Sequence, residues 1–213
     1  MSTILNRAVF QKDPTLTDIP NDGVAKVGRP ETDQQWRILE HELRTFVCKG
    51  EYEKGVDRIL NSYLTHLDRD AQPAAWISGF YGSGKSHLVR VLEHLWLNTE
   101  FPNGDTARNM AQLPPEVSAH LINLSTVGRQ RGGLWSAAGT LSSSGDVGVR
   151  LAILAVILRA ASLPEAWAQA QLVLRLKQEG VWDSVVANLE AVDRSVEKEL
   201  QNMYVSRALR EAI

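Results

Sequence analysis

Two stretches near the start of the chain carry apolar residues at helical spacing. Trp36, Leu39, Leu43, Phe46 and Val47 fall on one face behind Thr32 and Gln35, a capping-box pair, so a helix is predicted that stops at Gly50. Tyr52, Val56, Ile59, Leu60, Tyr63, Leu64 and Leu67 form the stripe of a second helix over residues 51–67, in spite of the cost of Gly55. The short connection between the stripes predicts an antiparallel pair. The pattern then changes. Ala74-Ala75-Trp76-Ile77-Ser78 is a short apolar run of the kind that fills a buried parallel strand, and residues 87–97 return to helical period with Leu88, Val91, Leu92, Leu95 and Trp96 inward. His87 and His94 lie on or beside that helix, at positions read as solvated. A short helix near residues 106–112 should end before Pro114-Pro115, and residues 117–125, VSAHLINLS, are read as a second strand. Strand, helix, strand makes an α/β unit with a parallel sheet, and that is the fold class expected.

The flanks differ from this core. Residues 1–30 mix Pro14, Pro20, Asn21-Asp22-Gly23 and Gly28 with short apolar pieces, which predicts turns with one small strand at residues 24–27. Residues 126–146 hold Arg129, Arg131, Gly132-Gly133, Gly139 and three consecutive serines, the texture of a long mobile loop leaving the second strand. Its arginines are read as ordinary surface cations ahead of phosphate contacts. The remainder is predicted helical: residues 147–161, a helix opened by Pro164 and closed by Gly180, then helices over residues 182–213. Trp167, Leu174, Val186, Leu189, Val196, Leu200, Met203, Tyr204 and Leu209 are read as core or interface. The expected organisation is an N-terminal arm and helical pair over 1–70, a nucleotide-binding core over 71–128, and a loop with a helical segment over 129–213.

Composition narrows the classes. With 213 residues, 44% of them hydrophobic, the chain can bury a real core, and a formal charge of −2 gives no support to a protein that coats nucleic acid. Cys48 is the only cysteine, and with five scattered histidines it offers no metal-ligand spacing; it is read as a helix core or boundary residue. Neither a signal-peptide core in residues 1–10 nor a membrane-length apolar run is present, the longest such run being residues 151–158, so a cytoplasmic protein is expected.

Candidate chemistry sits between the apolar run and the helix that follows it. Residues 79–86, GFYGSGKS, match the phosphate-loop pattern G-x-x-x-x-G-K-[ST] at every fixed position. Gly79, Gly82 and Gly84 would let successive N–H groups converge on an anion, and the helix beginning near Lys85 would add its own unpaired N–H groups and positive dipole end. Lys85 would reach the β- and γ-phosphates, and the Ser86 hydroxyl would ligate Mg²⁺. The site is therefore expected to comprise Gly79, Phe80, Tyr81, Gly82, Ser83, Gly84, Lys85, Ser86 and His87, with Phe80 and Tyr81 assigned to packing or loop shaping rather than base stacking. A glycine-rich turn that binds nothing would have no need of Lys-Ser after its last glycine. No guanine-reading N-K-x-D pattern is present, which favours ATP.

The segments AAWISGFYGSGKSHLVRVLEHLW, HLINLSTVGRQRGGLWSAAGTL and DGVAKVGRPETD resemble the N-terminal part of the large P-loop ATPases of bacteriophage-exclusion (BREX) and phage-growth-limitation systems, the BrxC/PglY family. The resemblance runs from about Asp22 onward. It implies that Gly79, Gly82, Gly84, Lys85 and Ser86 form an ATP-phosphate and Mg²⁺ site, and that the protein works in antiphage defence beside other system proteins. Members of that family are far longer than this chain. No strand-like run here ends in the second acidic motif that hydrolysis requires, since Glu190 and Asp193 fall in a helical pattern and are read as solvated charges. The acidic strand is expected beyond Ile213, leaving an incomplete ATPase domain whose sheet edge would favour self-association. Three functions remain open: an ATP-driven motor or switch module acting on partners or DNA, a nucleotide-gated scaffold without significant turnover, and, with no lid-like arginine cluster to support it, a small-molecule kinase.

Overall fold

A capping box starts the first helix, as its sequence requires. The Gln35 amide donates to Thr32 Oγ1 and the Thr32 amide donates to Gln35 Oε1, so two of the N–H groups that a helix start leaves unpaired are satisfied reciprocally. In this computed structural model, which describes residues 28–141 and 148–213, α1 spans Asp33–Thr45 and α2 spans Glu51–His66. The apolar spacing of each places Leu39 and Leu43 of α1, and Val56 and Leu60 of α2, wholly out of solvent. Three further helices follow: α3, Lys85–Leu97; α4, Ala107–Met110; and α5, Pro115–Gln130. Helix α2 packs chiefly on α5, while α1 packs on α3 and α4. Leu39, Leu43, Leu60, Leu95, Leu121 and Leu124 form the centre of one continuous core.

The structure overturns the expected fold class. Among the described residues there is no strand and no sheet; the nearest approach is one isolated antiparallel bridge between Glu100 and Thr106. Residues 117–125, expected as a strand, lie inside α5. Val117, Leu121, Leu124 and Gly128 are spaced by four, three and four and turn one buried face, and Pro115 occupies the first helical turn, where its missing N–H costs nothing. Residues 74–78, the other expected strand, have no regular structure, and all but Ile77 are exposed. A strand pairs its backbone only through neighbours, and with 117–125 helical the described residues offer none. The expected sheet edge, and self-association through it, fall with the sheet. The strand expected at residues 24–27 lies outside the described residues.

The chain divides into two compact units, the first running to Ser136 and the second from Ala137 to Ile213. The second is built from α6, Val149–Ala160; α7, Trp167–Gln178; α8, Trp182–Ala191; α9, Val196–Gln201; and α10, Arg207–Ala212. Val173, Leu176, Val185, Leu189, Leu200 and Leu209 fill its core. Of the residues expected there, Leu189, Leu200 and Leu209 are buried, whereas Trp167, Leu174 and Tyr204 remain exposed. Gly180, φ +72°, closes α7 as expected: its N–H donates to the Lys177 carbonyl, and the Val181 N–H to that of Leu176. Asp193 takes the same left-handed role after α8, φ +54°. It lies just past the helix rather than in it. No helix among the described residues is long and apolar enough to cross a membrane.

Candidate functional site

The loop GFYGSGKS runs directly into the first turn of α3. Gly82 and Gly84 hold φ +79° and +78°, a region a β-branched residue resists, and Gly84 is the residue from which the helix departs. The Ser83 amide donates to the Phe80 carbonyl and folds the loop back on itself. Lys85 Nζ donates to the carbonyls of Gly79, at 2.9 Å, and Phe80, at 2.7 Å, so its charge is held inside the curve of the loop. A Cβ on Gly79 would come within 2.7 Å of Ser83 Oγ, and one on Gly84 within 2.9 Å of Tyr52 Oη. Close approach therefore favours glycine at both positions, and at Gly84 the left-handed backbone does so as well.

These residues suit a polyphosphate. The first N–H groups of α3 lack an intrahelical acceptor and carry the positive end of the helix dipole, and Lys85, in that first turn, adds an ammonium. Ser86, exposed in the first turn, presents one hydroxyl. Among the described residues no group of three His, Cys, Asp or Glu could hold a metal ion, so Mg²⁺ at Ser86 would take its remaining ligands from phosphate oxygens and water.

The other predicted site residues have different surroundings. Phe80 and Tyr81 do not pack: Phe80 is 92% exposed and Tyr81 fully so. His87 is half-buried, its ring tilted against Phe46 at 6.0 Å and its Nδ1 3.8 Å from Glu42 Oε1, which directs it at α1. His94, expected in solvent, is buried. Its Nδ1 pairs with Thr99 Oγ1 at 2.9 Å, and burial, with the Arg90 charge beside it, pushes its pKa down to about 4. Arg90 is also buried, with Nε 3.2 Å from Glu42 Oε2. Cys48 is buried as expected; burial pushes its thiol pKa up, and Glu53 adds to the effect. Arg131 pairs with Asp68, which accounts for its charge. Of the long loop expected over residues 126–146, the first five residues belong to α5, and residues 142–147 lie outside the described ones.

Beside the loop the structure adds a groove of about 750 Å³. One wall is α2, through Tyr52, Gly55, Ile59 and Tyr63; the other is residues 73–80, and Trp96 of α3 contributes to the floor. The Tyr52 hydroxyl donates to the Ser83 carbonyl, tying α2 to the GFYGSGKS loop. Sequence reasoning placed Tyr52, Ile59 and Tyr63 in one buried stripe with Val56 and Leu60. The available signal was the width of that stripe, which exceeds one face: 56 and 60 are buried in the core, and 52, 55, 59 and 63 line the groove, with Tyr52 and Tyr63 also packed on the core. The chain matches no model of a known protein family, and no solved structure matches it significantly.

Proposed function

We propose that this chain is a phosphate-loop module that binds a nucleoside triphosphate, ATP by preference, with Mg²⁺ shared between Ser86 and the bound phosphates. The observation that carries the reading is the geometry around Lys85: an ammonium held by two loop carbonyls, at the N-terminus of a 13-residue helix, behind two glycines in left-handed conformation. The resemblance to bacteriophage-exclusion and phage-growth-limitation ATPases supports a cytoplasmic role in antiphage defence, in which nucleotide state governs assembly with other system proteins or with DNA. The reading rests on the loop and its helix and requires no sheet.

A second reading, a nucleotide-gated scaffold without significant turnover, draws on one observation. The groove beside the loop is lined by a single carboxylate, Glu51, whose Oε1 is engaged by Lys54 Nζ at 2.9 Å. Lys85→Ala separates both readings from a loop that binds nothing. Calorimetric titration with Mg-ATP should show at least tenfold weaker binding in the variant, with an unchanged circular dichroism spectrum, because the ammonium serves ligand charge and no core contact. Equal affinity in the two proteins would remove the phosphate site.

A further inference from the structure

The groove along α2 has features that the phosphate loop by itself does not explain. Gly55 stands in the middle of a 16-residue helix, where glycine costs about 1 kcal/mol relative to alanine. No packing demands it: a Cβ built there meets no atom within 4 Å. What a side chain at 55 would enter is the groove, since Gly55 is part of its wall. Around that space the chain sets aromatic rings. Tyr63 and Trp96 meet edge to face with centroids 4.5 Å apart, and Trp76, on the opposite wall, is 92% exposed, an unusual exposure for an indole. Ser83 and Lys85 of the phosphate loop belong to the same lining. A volume of about 750 Å³ lies within the range of small-ligand sites and exceeds what phosphates alone would need.

We infer that this groove is the nucleoside subsite: the base of the triphosphate inserts between α2 and residues 73–80, stacked against Trp76, in the space that Gly55 leaves open, while the phosphates extend to Lys85. The assignment rests on the phosphate-loop reading. Stacking on an aromatic face serves any base, at about 1–3 kcal/mol per base, so selectivity among bases is expected to be modest. Glu51 of the lining pairs with Lys54, and Arg58 joins the lining as a cation, which suits a polyanionic ligand.

Two variants and two ligands test it. Mg-ATP and inorganic triphosphate are titrated calorimetrically into the wild-type chain, Trp76→Ala and Gly55→Leu. The expected result is that wild type binds ATP at least tenfold tighter than inorganic triphosphate, and that each variant loses most of that difference while holding inorganic triphosphate as before. Thermal unfolding supplies the control for Gly55→Leu, which should melt no lower than wild type because leucine is the better helix former and has open space. ATP affinity unchanged in both variants, with Lys85-dependent binding intact, would overturn the nucleoside subsite and leave the phosphate site standing. Binding of neither ligand by wild type would remove the phosphate site, and the subsite with it.

Discussion

The imidazole of His94 shares a face of α3 with Val91 and Leu95, and only 2% of its surface is exposed. Its surroundings are ionic: Arg90 one turn earlier, and across from it Glu42 of α1, which also faces His87. Burial is the larger cause and the Arg90 charge the second of a pKa near 4, against an ordinary value of 6.5; the Glu42 charge acts in the opposite direction. A folded-state pKa below the unfolded one means that the fold holds the neutral ring. That contribution is complete above pH 6.5 and is lost as pH falls through the window from 6.5 to 4, where the unfolded chain takes up the proton first. Between pH 7.5 and 5 the loss amounts to about 2 kcal/mol. Urea unfolding at the two pH values should show it in wild type, and His94→Gln should show markedly less; equal pH dependence in the two proteins would exclude His94 as the source.

Among the elements, α4 has four residues and positions a side chain that joins two longer helices. Arg108 donates through Nε to the Leu95 carbonyl at 2.7 Å, through Nη2 to that of Trp96 at 2.9 Å, and through Nη1 to the Leu121 carbonyl and Ser125 Oγ at 2.8 and 2.6 Å. Two of these acceptors lie at the C-terminal end of α3, where the helix dipole favours a cation, and two lie on α5. Arg108→Met keeps an unbranched apolar stem and removes every donor. It should cost about 3 kcal/mol by denaturant unfolding, because four hydrogen bonds from a partly buried guanidinium to α3 and α5 are lost. A loss below about 1 kcal/mol would show that water replaces the guanidinium. Helix α5 also shows what limited the reading from sequence. In VSAHLINLS the alternation of a strand breaks at Leu121-Ile122, whereas 117, 121, 124 and 128 keep helical spacing. The order strand–loop–helix–strand, expected from the phosphate loop, outweighed that local period. Pro114-Pro115 reads in sequence as the end of a helix, whereas Pro115 begins one. The helices with strong signals were legible: α1 from its capping box, α2 from its stripe, α3 from residues 88–96, and the end of α7 from Gly180. Arg90 and His94 on the inner face of α3 were not, because polar side chains at core positions carry no periodic signal.

For the whole molecule the decisive question is whether triphosphate binding leads to hydrolysis. The glycine-rich turn and the start of α3 at Lys85 were legible, since Gly82 and Gly84 take the left-handed backbone that their residue type permits. The groove beside it was not, because Tyr52, Gly55, Trp76 and Trp96 come from three separate segments that only the fold brings together. Phosphoryl transfer to water requires a cradle for the phosphates, a carboxylate holding the metal's water shell, a group orienting the attacking water and, in many cases, an arginine from a neighbour. The proposed site at Lys85 would supply the first. Glu51, the carboxylate in the groove lining, is engaged by Lys54, and the nearest histidine in sequence, His87, faces Glu42 of α1. Glu190 and Asp193 belong to α8 and its exit in the second unit, both exposed. Binding and turnover should therefore separate: the 213-residue chain is expected to bind Mg-ATP in a Lys85-dependent way and to release phosphate no faster than a Lys85→Ala control. A continuous phosphate-release assay at saturating ATP, run on both proteins, measures this directly. Addition of DNA or of a candidate defence protein then asks whether a partner supplies the missing groups. Turnover by the chain alone, abolished in Lys85→Ala, would mean that a carboxylate reaches the loop in the working protein, and site-directed replacement of Glu51 would be the first step in locating it.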